Sequence, residues 1–400
     1  MVTTVNDAPA PNPAPSVPGA GRLGLVLSGG GARGAYQVGV LKALAELLPR
    51  DAPVPFAVIC GTSAGAITAA VGAAHAAQFR AGVINLERVW RNFHVDQVFR
   101  ADTQSMLRSG VHWMLSILTG GWLLPPPRSL FDNTPLRELL ERHVNFARIQ
   151  EAIDHGHLEA FAVSATAYRR ALTVAFYSSA HEQAPWLESW HRGERAEFGL
   201  DHLMASAAVP FLFPPVRMGG EYYGDGAMRQ SAPLSPAIRL GADRLLVLGV
   251  RPPAASCHDA GASNDRGPTF GQVFGFMLDT LFMDGLHGDL ERLGRDNQLI
   301  ACAGAAPTGL RRIDTLLITP REDFGEIAAR HAAEMPQSLR VLLRTMGAAN
   351  AGGGALLSYL LFEGGYTREL IALGYADAMR RRDELYAFVT SESCRATTPG

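Results

Sequence analysis

Three short stretches of this 400-residue chain carry residue types whose spacing could do chemistry. The first is Gly61-Thr62-Ser63-Ala64-Gly65, a G-x-S-x-G pattern between an apolar run and a helical run of small residues. A serine that attacks a carbonyl must project from a sharp turn, and glycines two positions away keep the neighbouring backbone clear. A helix start at the same point favours negative charge developing nearby. The same five residues also suit a tight strand-to-helix turn with no chemistry at all.

The second stretch is Ser28-Gly29-Gly30-Gly31-Ala32-Arg33-Gly34. Gly29-x-Gly31-x-x-Gly34 satisfies the spacing of a dinucleotide-binding turn, but that turn needs an acid at the end of the next strand. Here the next strand ends in Cys60-Gly61, and the Gly-Lys-Ser/Thr of a phosphate-binding P-loop is missing too. Consecutive glycines can instead turn backbone N–H groups into a cavity, where they would stabilise the oxyanion of a tetrahedral intermediate. Two adjacent parallel strands would bring this loop and the Ser63 turn to one edge of a sheet.

The third is Tyr223-Gly224-Asp225-Gly226-Ala227, after a β-like segment. Flanking glycines would let the backbone aim the carboxylate across the sheet edge, although Asp-Gly is also common in ordinary turns. Twelve histidines are present. A serine–acid–histidine order would leave His258, His287 or His331 as base, with His202 preceding the acid. His258 falls in a polar loop and the other two in helical segments, so each reads as a surface or packing residue.

In order and spacing, Ser28–Gly34, Gly61–Gly65 and Asp225-Gly226-Ala227 resemble the patatin-like phospholipases. Met204-Ala205-Ser206-Ala207-Ala208-Val209-Pro210, leading to Phe213-Pro214-Pro215-Val216, is similar to that family as well. The resemblance spans Leu23 to Val250, and the segments near Phe270–Leu293 and Asp314 are similar to extensions of bacterial members. It implies a three-layer α/β/α sandwich with a mainly parallel sheet, and a serine–aspartate dyad in place of a triad. Carried over by motif, Ser63 is the nucleophile and Asp225 its base. Gly29, Gly30 and Gly31 supply oxyanion donors, while Arg33, Gly34, Gly61, Gly65 and Gly226 support the motifs. Arg33 either offers charge to a lipid phosphate or is a surface or structural arginine. Ser28 stands where many members carry Asp. The implied activity is hydrolysis of acyl esters of glycerolipids, as a phospholipase A or esterase, with no cofactor or metal. Acyl transfer, thioester hydrolysis and non-catalytic lipid binding are the alternatives.

The elements that must position these residues follow from the apolar pattern. Leu23–Leu27 and Val54–Cys60 read as buried strands, each followed by a turn and a helix, at Ala35–Leu48 and from Ala64 through Ala77. That rhythm predicts a parallel sheet with crossover helices. Further strands are predicted at Ala160–Ala165, Leu172–Tyr177, Arg217–Met218 with Glu221–Tyr223, Arg244–Val250 and Asp314–Thr319. A Pro/Ala-rich leader over 1–22 is too poor in apolar residues to fold. A catalytic domain over 23–250, an exposed loop over 251–268 and a mostly helical extension over 269–392 complete the expected organisation.

Charged residues make up 18% of the chain, below the roughly 25% of an average domain. This implies a large interior or an apolar contact surface. A net charge of −2 argues against a nucleic-acid partner. The four cysteines, at 60, 257, 302 and 394, form no C-x-x-C pair and read as isolated reduced thiols rather than a zinc site or disulfide framework. No signal sequence or membrane-spanning run is recognised, so the expected location is cytoplasmic, with peripheral membrane contact. Val111–Leu124, with Trp113 and Trp122, reads either as a lid or interfacial patch or as a buried helix closing the core, the latter slightly favoured.

Overall fold

The computed structural model describes residues 21–102, 104, 110–112, 115–116, 118–119, 122, 128–188, 190–252, 267–303, 310–348 and 353–391. The apolar runs form strands β1 (Leu23–Leu27), β2 (Val58–Thr62), β3 (Ala160–Ala167), β4 (Leu172–Ser179), β5 (Trp186–Glu188), β6 (His191–Arg195), β7 (Val216–Met218), β8 (Glu221–Asp225), β9 (Arg244–Leu248) and β10 (Asp314–Ile318). They join one ten-stranded sheet in the order β10-β9-β1-β2-β3-β4-β6-β5, with β8 on β3 and β7 on β8. From β10 to β3 every pairing is parallel. Every residue of β1, β2 and β9 is buried, the pattern of strands covered by helices on both faces. The architecture is a mostly parallel central sheet flanked by helices, with a helical C-terminal region.

The C-terminal region shares the core of the N-terminal motifs. β10 extends the sheet beside β9, and the Gly364–Arg380 helix lies along the Ala35–Leu47 helix. The described residues contain no helix long and apolar enough to cross a membrane.

Four sequence expectations change. The second strand begins at Val58, not Val54: Pro53 and Pro55 flank Val54, and its N–H donates to Ala76 O instead of joining a ladder. The helix expected across Phe270–Leu293 comprises Phe270–Asp279 and Gly285–Ala303, joined by a π-helical stretch at Thr280–Asp284. β5 and β6 were not anticipated, because they are short and half exposed and lack an apolar alternation. Within the tryptophan-containing stretch, Trp113, Ile117, Leu123 and Leu124 lie outside the described residues. The described ones contradict a buried helix, since Leu118 is 74% and Trp122 94% exposed.

The sheet registers decide where the site forms. β2 runs parallel to β3 and ends with Thr62 opposite Ser164. β4 occupies the whole opposite edge of β3, from Ala160 to Ala167. The antiparallel β8 must therefore take the edge that β2 vacates, and it ends with Asp225 opposite Ala165. Two strands thus run toward each other along one edge of β3. Their carboxyl ends, Thr62 and Asp225, face neighbouring residues of β3, one step of about 3.3 Å apart, and Ser63 follows directly on Thr62.

Candidate active site

Ser63 links β2 to the Ala64–Ala74 helix with φ 55° and ψ −127°, a conformation that costs a non-glycine residue about 1–3 kcal/mol. The turn is tight enough that a Cβ on Gly65 would lie 2.4 Å from Leu27 O, so the helix start presses directly on the end of β1. Ser63 N–H donates to Ser206 Oγ at 2.9 Å. Its preceding residue is tied as well: Thr62 Oγ1 donates to Gln230 Oε1, and Gln230 Nε2 donates to Ser164 Oγ.

Asp225 is fully buried at the end of β8. Its main chain is held on both sides, since its N–H donates to Ala208 O and its carbonyl accepts from Thr166 Oγ1. Oδ1 accepts the N–H of Ala227, capping the short 3-10 turn Gly226–Arg229. Oδ2 is buried and, among the described residues, has no hydrogen-bond partner. Burial pushes the carboxyl up from an ordinary value of 3.8 to about 7, against the lowering influence of the nearby Ser63 hydroxyl and the Ala227 amide. The Ser63 hydroxyl is near enough to act on the carboxyl, although it completes no hydrogen bond to Oδ2 in this geometry. A carboxylate in this state is a far better base than one in water.

The glycine loop closes the site from β1. Gly31 has φ +55°, and a Cβ there would sit 2.5 Å from Tyr359 O, so only glycine fits. Gly29 lies over Ser63: a Cβ on it would be 3.0 Å from Ser63 Cβ. Among the described residues, the N–H groups of Gly29, Gly30 and Gly31 donate to no protein acceptor. Ser28 anchors the loop through its Oγ to Leu248 O, and Gln37 Nε2 bridges Ser28 O and Leu248 O. Gly34 packs under Trp90, Gly61 faces Gly65 O, and Gly226 rests on Ser164 O.

Arg33 does not face this space. Its guanidinium is buried, pairs with Asp279 at 2.7 Å, donates to Ser358 Oγ and Tyr359 Oη, and lies 3.8 Å from the Tyr359 ring centroid. Burial works against its charge, but Tyr359 and Asp279 outweigh it and raise its pKa above the ordinary value. Of the two roles open from sequence, the structure selects the internal one.

The histidines weighed as bases are engaged elsewhere. His202 packs its ring against Phe176 and Phe198 and accepts the Gly199 N–H. His287 Nδ1 donates to Met283 O, and His331 lies between Glu334 and Glu369. His258 lies outside the described residues. None of the three described histidines is among the groups that shift Asp225. No group of three or more His, Cys, Asp or Glu side chains among the described residues is arranged to hold a metal ion.

The chain matches the family described as "Patatin-like phospholipase" over residues 25–238. It belongs to the patatin-like phospholipases. A protein named "cGAMP-activated phospholipase" from Pseudomonas aeruginosa (strain BWHPSA011 / Pa011) is 29% identical over 266 residues, covering 64% of this chain and 69% of that protein. The crystal structure of VipD from Legionella pneumophila aligns at 12% identity with a TM-score of 0.35, covering 92% of this chain and 67% of that one.

In this patatin-like phospholipase, an apolar cavity of about 770 Å³, counting the space at its opening, leads away from Ser63 and Gly31. It follows the Ala64–Ala74 helix past Ile67 to Val71, roughly 12 Å at 1.5 Å per residue. Its lining also includes the exposed His143 and the half-buried Asn85. Sequence reasoning missed these wall residues, as well as Gln37, Thr62, Ser206 and Gln230. The first group resembles ordinary core and surface positions in one dimension. The second lies inside or beside recognised motifs, but its hydrogen-bond partners are distant along the chain.

Proposed function

We propose that this family member is a serine lipid acyl hydrolase acting through a Ser63–Asp225 dyad. The observation that carries the reading is the end-on meeting of β2 and β8. It brings a strained serine toward a buried carboxylate whose Oδ2 has no donor among the described residues, beside three amides that find no acceptor among them.

In the first half-reaction, Ser63 Oγ bonds to the ester carbonyl carbon while its proton moves to Asp225 Oδ2. The carbonyl oxygen gains negative charge and is stabilised by amides of Gly29, Gly30 and Gly31, each such donor being worth about 3–4 kcal/mol. Collapse breaks the ester C–O bond, and the alcohol leaves with the proton from Asp225. Water then attacks the acyl-enzyme, gives a proton to Asp225, and the fatty acid departs as that proton returns to Ser63. The apolar cavity takes the acyl chain, which explains why its walls offer hydrocarbon rather than charge. Glycerolipid acyl esters are the substrates this shape suits best. Exposed Leu115, Leu118 and Trp122 provide contact with a lipid surface.

A fluorophosphonate probe tests the reading together with lipid-panel hydrolysis followed by mass spectrometry. Wild type should be labelled on Ser63 and release fatty acid, and Ser63→Ala should do neither. Because the Pseudomonas relative is cGAMP-activated, each assay is run with and without cGAMP. Absence of labelling and hydrolysis under both conditions would refute the proposal.

A further inference from the structure

The two halves of the proposed dyad sit on strands that do not pair with each other. β2 and β8 each hydrogen-bond to β3 and meet only at their tips. No ladder between them sets the distance from the Ser63 hydroxyl to the Asp225 carboxylate. The turn after Asp225 ties both tips, through Ala227 to Asp225 and through Gln230 to Thr62. A second segment, distant from it along the chain, does so through the main-chain N–H groups of Ser63 and Asp225. At the end of the short Leu200–Ser206 helix, Ser206 Oγ accepts the Ser63 N–H at 2.9 Å. Two residues later, Ala208 O accepts the Asp225 N–H at 2.9 Å.

That segment is itself tightly wound. Ala207 N–H donates to Leu203 O, Ala208 N–H to Ala205 O, and Val209 N–H to Ala207 O, so the two acceptors are fixed relative to each other. Ser206 is fully buried, and its oxygen faces the one residue of the site whose backbone is strained.

We infer that Ser206 is a positioning residue: with the Ala208 carbonyl it forms a two-point brace that holds Ser63 and Asp225 in reacting register. The inference rests on the dyad reading above. It also assigns the Ser63 amide a structural duty, leaving oxyanion stabilisation to the glycine loop. Without the brace, the Ser63 turn can relax out of its left-handed conformation and carry the hydroxyl away from Oδ2. A misplacement of this kind near reacting atoms costs on the order of 10²-fold in rate.

The test compares wild type, Ser206→Ala and Ser206→Cys, all full-length, with Ser63→Ala as the blank. Measurements are kcat and KM on a soluble acyl ester, the fluorophosphonate inactivation rate, the melting temperature, and the ascending pH limb of kcat/KM. Ser206→Ala should lose about 10–10²-fold in kcat and in inactivation rate, with KM within about twofold. Cys, which keeps a weaker acceptor of similar size, should fall between. The pH limb should also move upward in Ser206→Ala, because a displaced Ser63 hydroxyl no longer lowers the Asp225 pKa. Among the described residues the other group named as acting on that carboxyl, the Ala227 amide, is untouched, as is the exposed Tyr168, whose phenol pKa is raised by desolvation and by Asp225.

A role limited to satisfying a buried N–H would lower the melting temperature of Ser206→Ala but leave kcat and the pH limb in place, and that result overturns the inference. So does a Ser206→Cys variant of wild-type melting temperature that is as slow as Ser206→Ala. An inactive, unlabelled wild type would bring down the dyad reading and the brace with it. An active wild type with a fully active Ser206→Ala would bring down the brace alone.

Discussion

Two buried polar clusters lie within one loop, and they are built to opposite rules. At Arg33 every part of the charge is answered: Asp279, Ser358, Tyr359 and an aromatic face surround the guanidinium. Two to four residues earlier, the Gly29–Gly31 amides have no acceptor among the described residues, and across the site from them Asp225 Oδ2 has no donor among them. Both clusters lie under cover where an unpaired polar group is costly. The first meets that cost with partners and so ties the glycine loop to the C-terminal helices. The second leaves it standing, and the unpaired atoms are the ones a tetrahedral intermediate and a transferred proton would use. Saturation holds the Arg33 side of the loop rigid, and on the dyad reading the incomplete corner beside it is left free to react.

The contrast is broken most directly at the incomplete cluster. Ser63→Ala and Asp225→Asn are each expected to cut turnover by about 10⁴-fold or more without unfolding the chain, as measured by steady-state hydrolysis alongside circular dichroism. Retention of more than a few per cent activity in either variant would remove the dyad.

At the saturated cluster the expected effect is on stability. Asp279→Ala leaves the Arg33 charge buried without its counter-ion and should destabilise the fold by about 3–5 kcal/mol in denaturant titrations. A change below about 1 kcal/mol would show that the loop is not held there.

The pH dependence sharpens the comparison further. Asp225 must be ionised to act as base, and its carboxyl sits at about 7. Turnover should therefore fall about tenfold per pH unit below 7 and level off above it. Stability should move the other way. The folded chain favours the neutral carboxyl, so the contribution of Asp225 is fullest below its ordinary value of 3.8 and is lost as pH rises through about 7. Asp225→Asn should accordingly melt higher than wild type at pH 8–9, with the advantage vanishing toward pH 4. Equal melting curves at pH 9 would contradict the buried, unpaired state of the carboxylate.

Smaller effects are expected farther from the reacting atoms. Val71→Trp, at the far end of the cavity wall, should reduce hydrolysis of long acyl chains by roughly tenfold and spare short ones, with fluorophosphonate labelling unchanged. Uniform loss across chain lengths would argue that the acyl chain lies elsewhere. Leu118→Ser combined with Trp122→Ser should weaken liposome sedimentation severalfold while leaving hydrolysis of a soluble ester intact. Unchanged sedimentation would remove those residues from the lipid contact.

The glycine loop, the G-x-S-x-G turn and the Asp-Gly turn were legible because each is a local requirement: a left-handed φ, a close backbone approach or a helix start selects particular residues within a few positions. The buried strands β1, β3, β4 and β9 were legible for a similar reason, since strands packed on both faces need unbroken apolar runs. The weakly patterned β5 and β6 were not. Neither were the prolines' effect on Val54 and the π-helical stretch at Thr280–Asp284, where packing outweighs periodicity.

Sequence by itself determined which residue types could react, and the local turns that present them. Tertiary structure alone decided that β4 fills one edge of β3, so that β8 must meet β2 head-on along the other. It also decided that Arg33 turns inward to Asp279, and that Ser206 and Ala208 reach both strand tips. These outcomes depend on strand order, register and burial, which are set by contacts between residues scores of positions apart. No window of local sequence contains them.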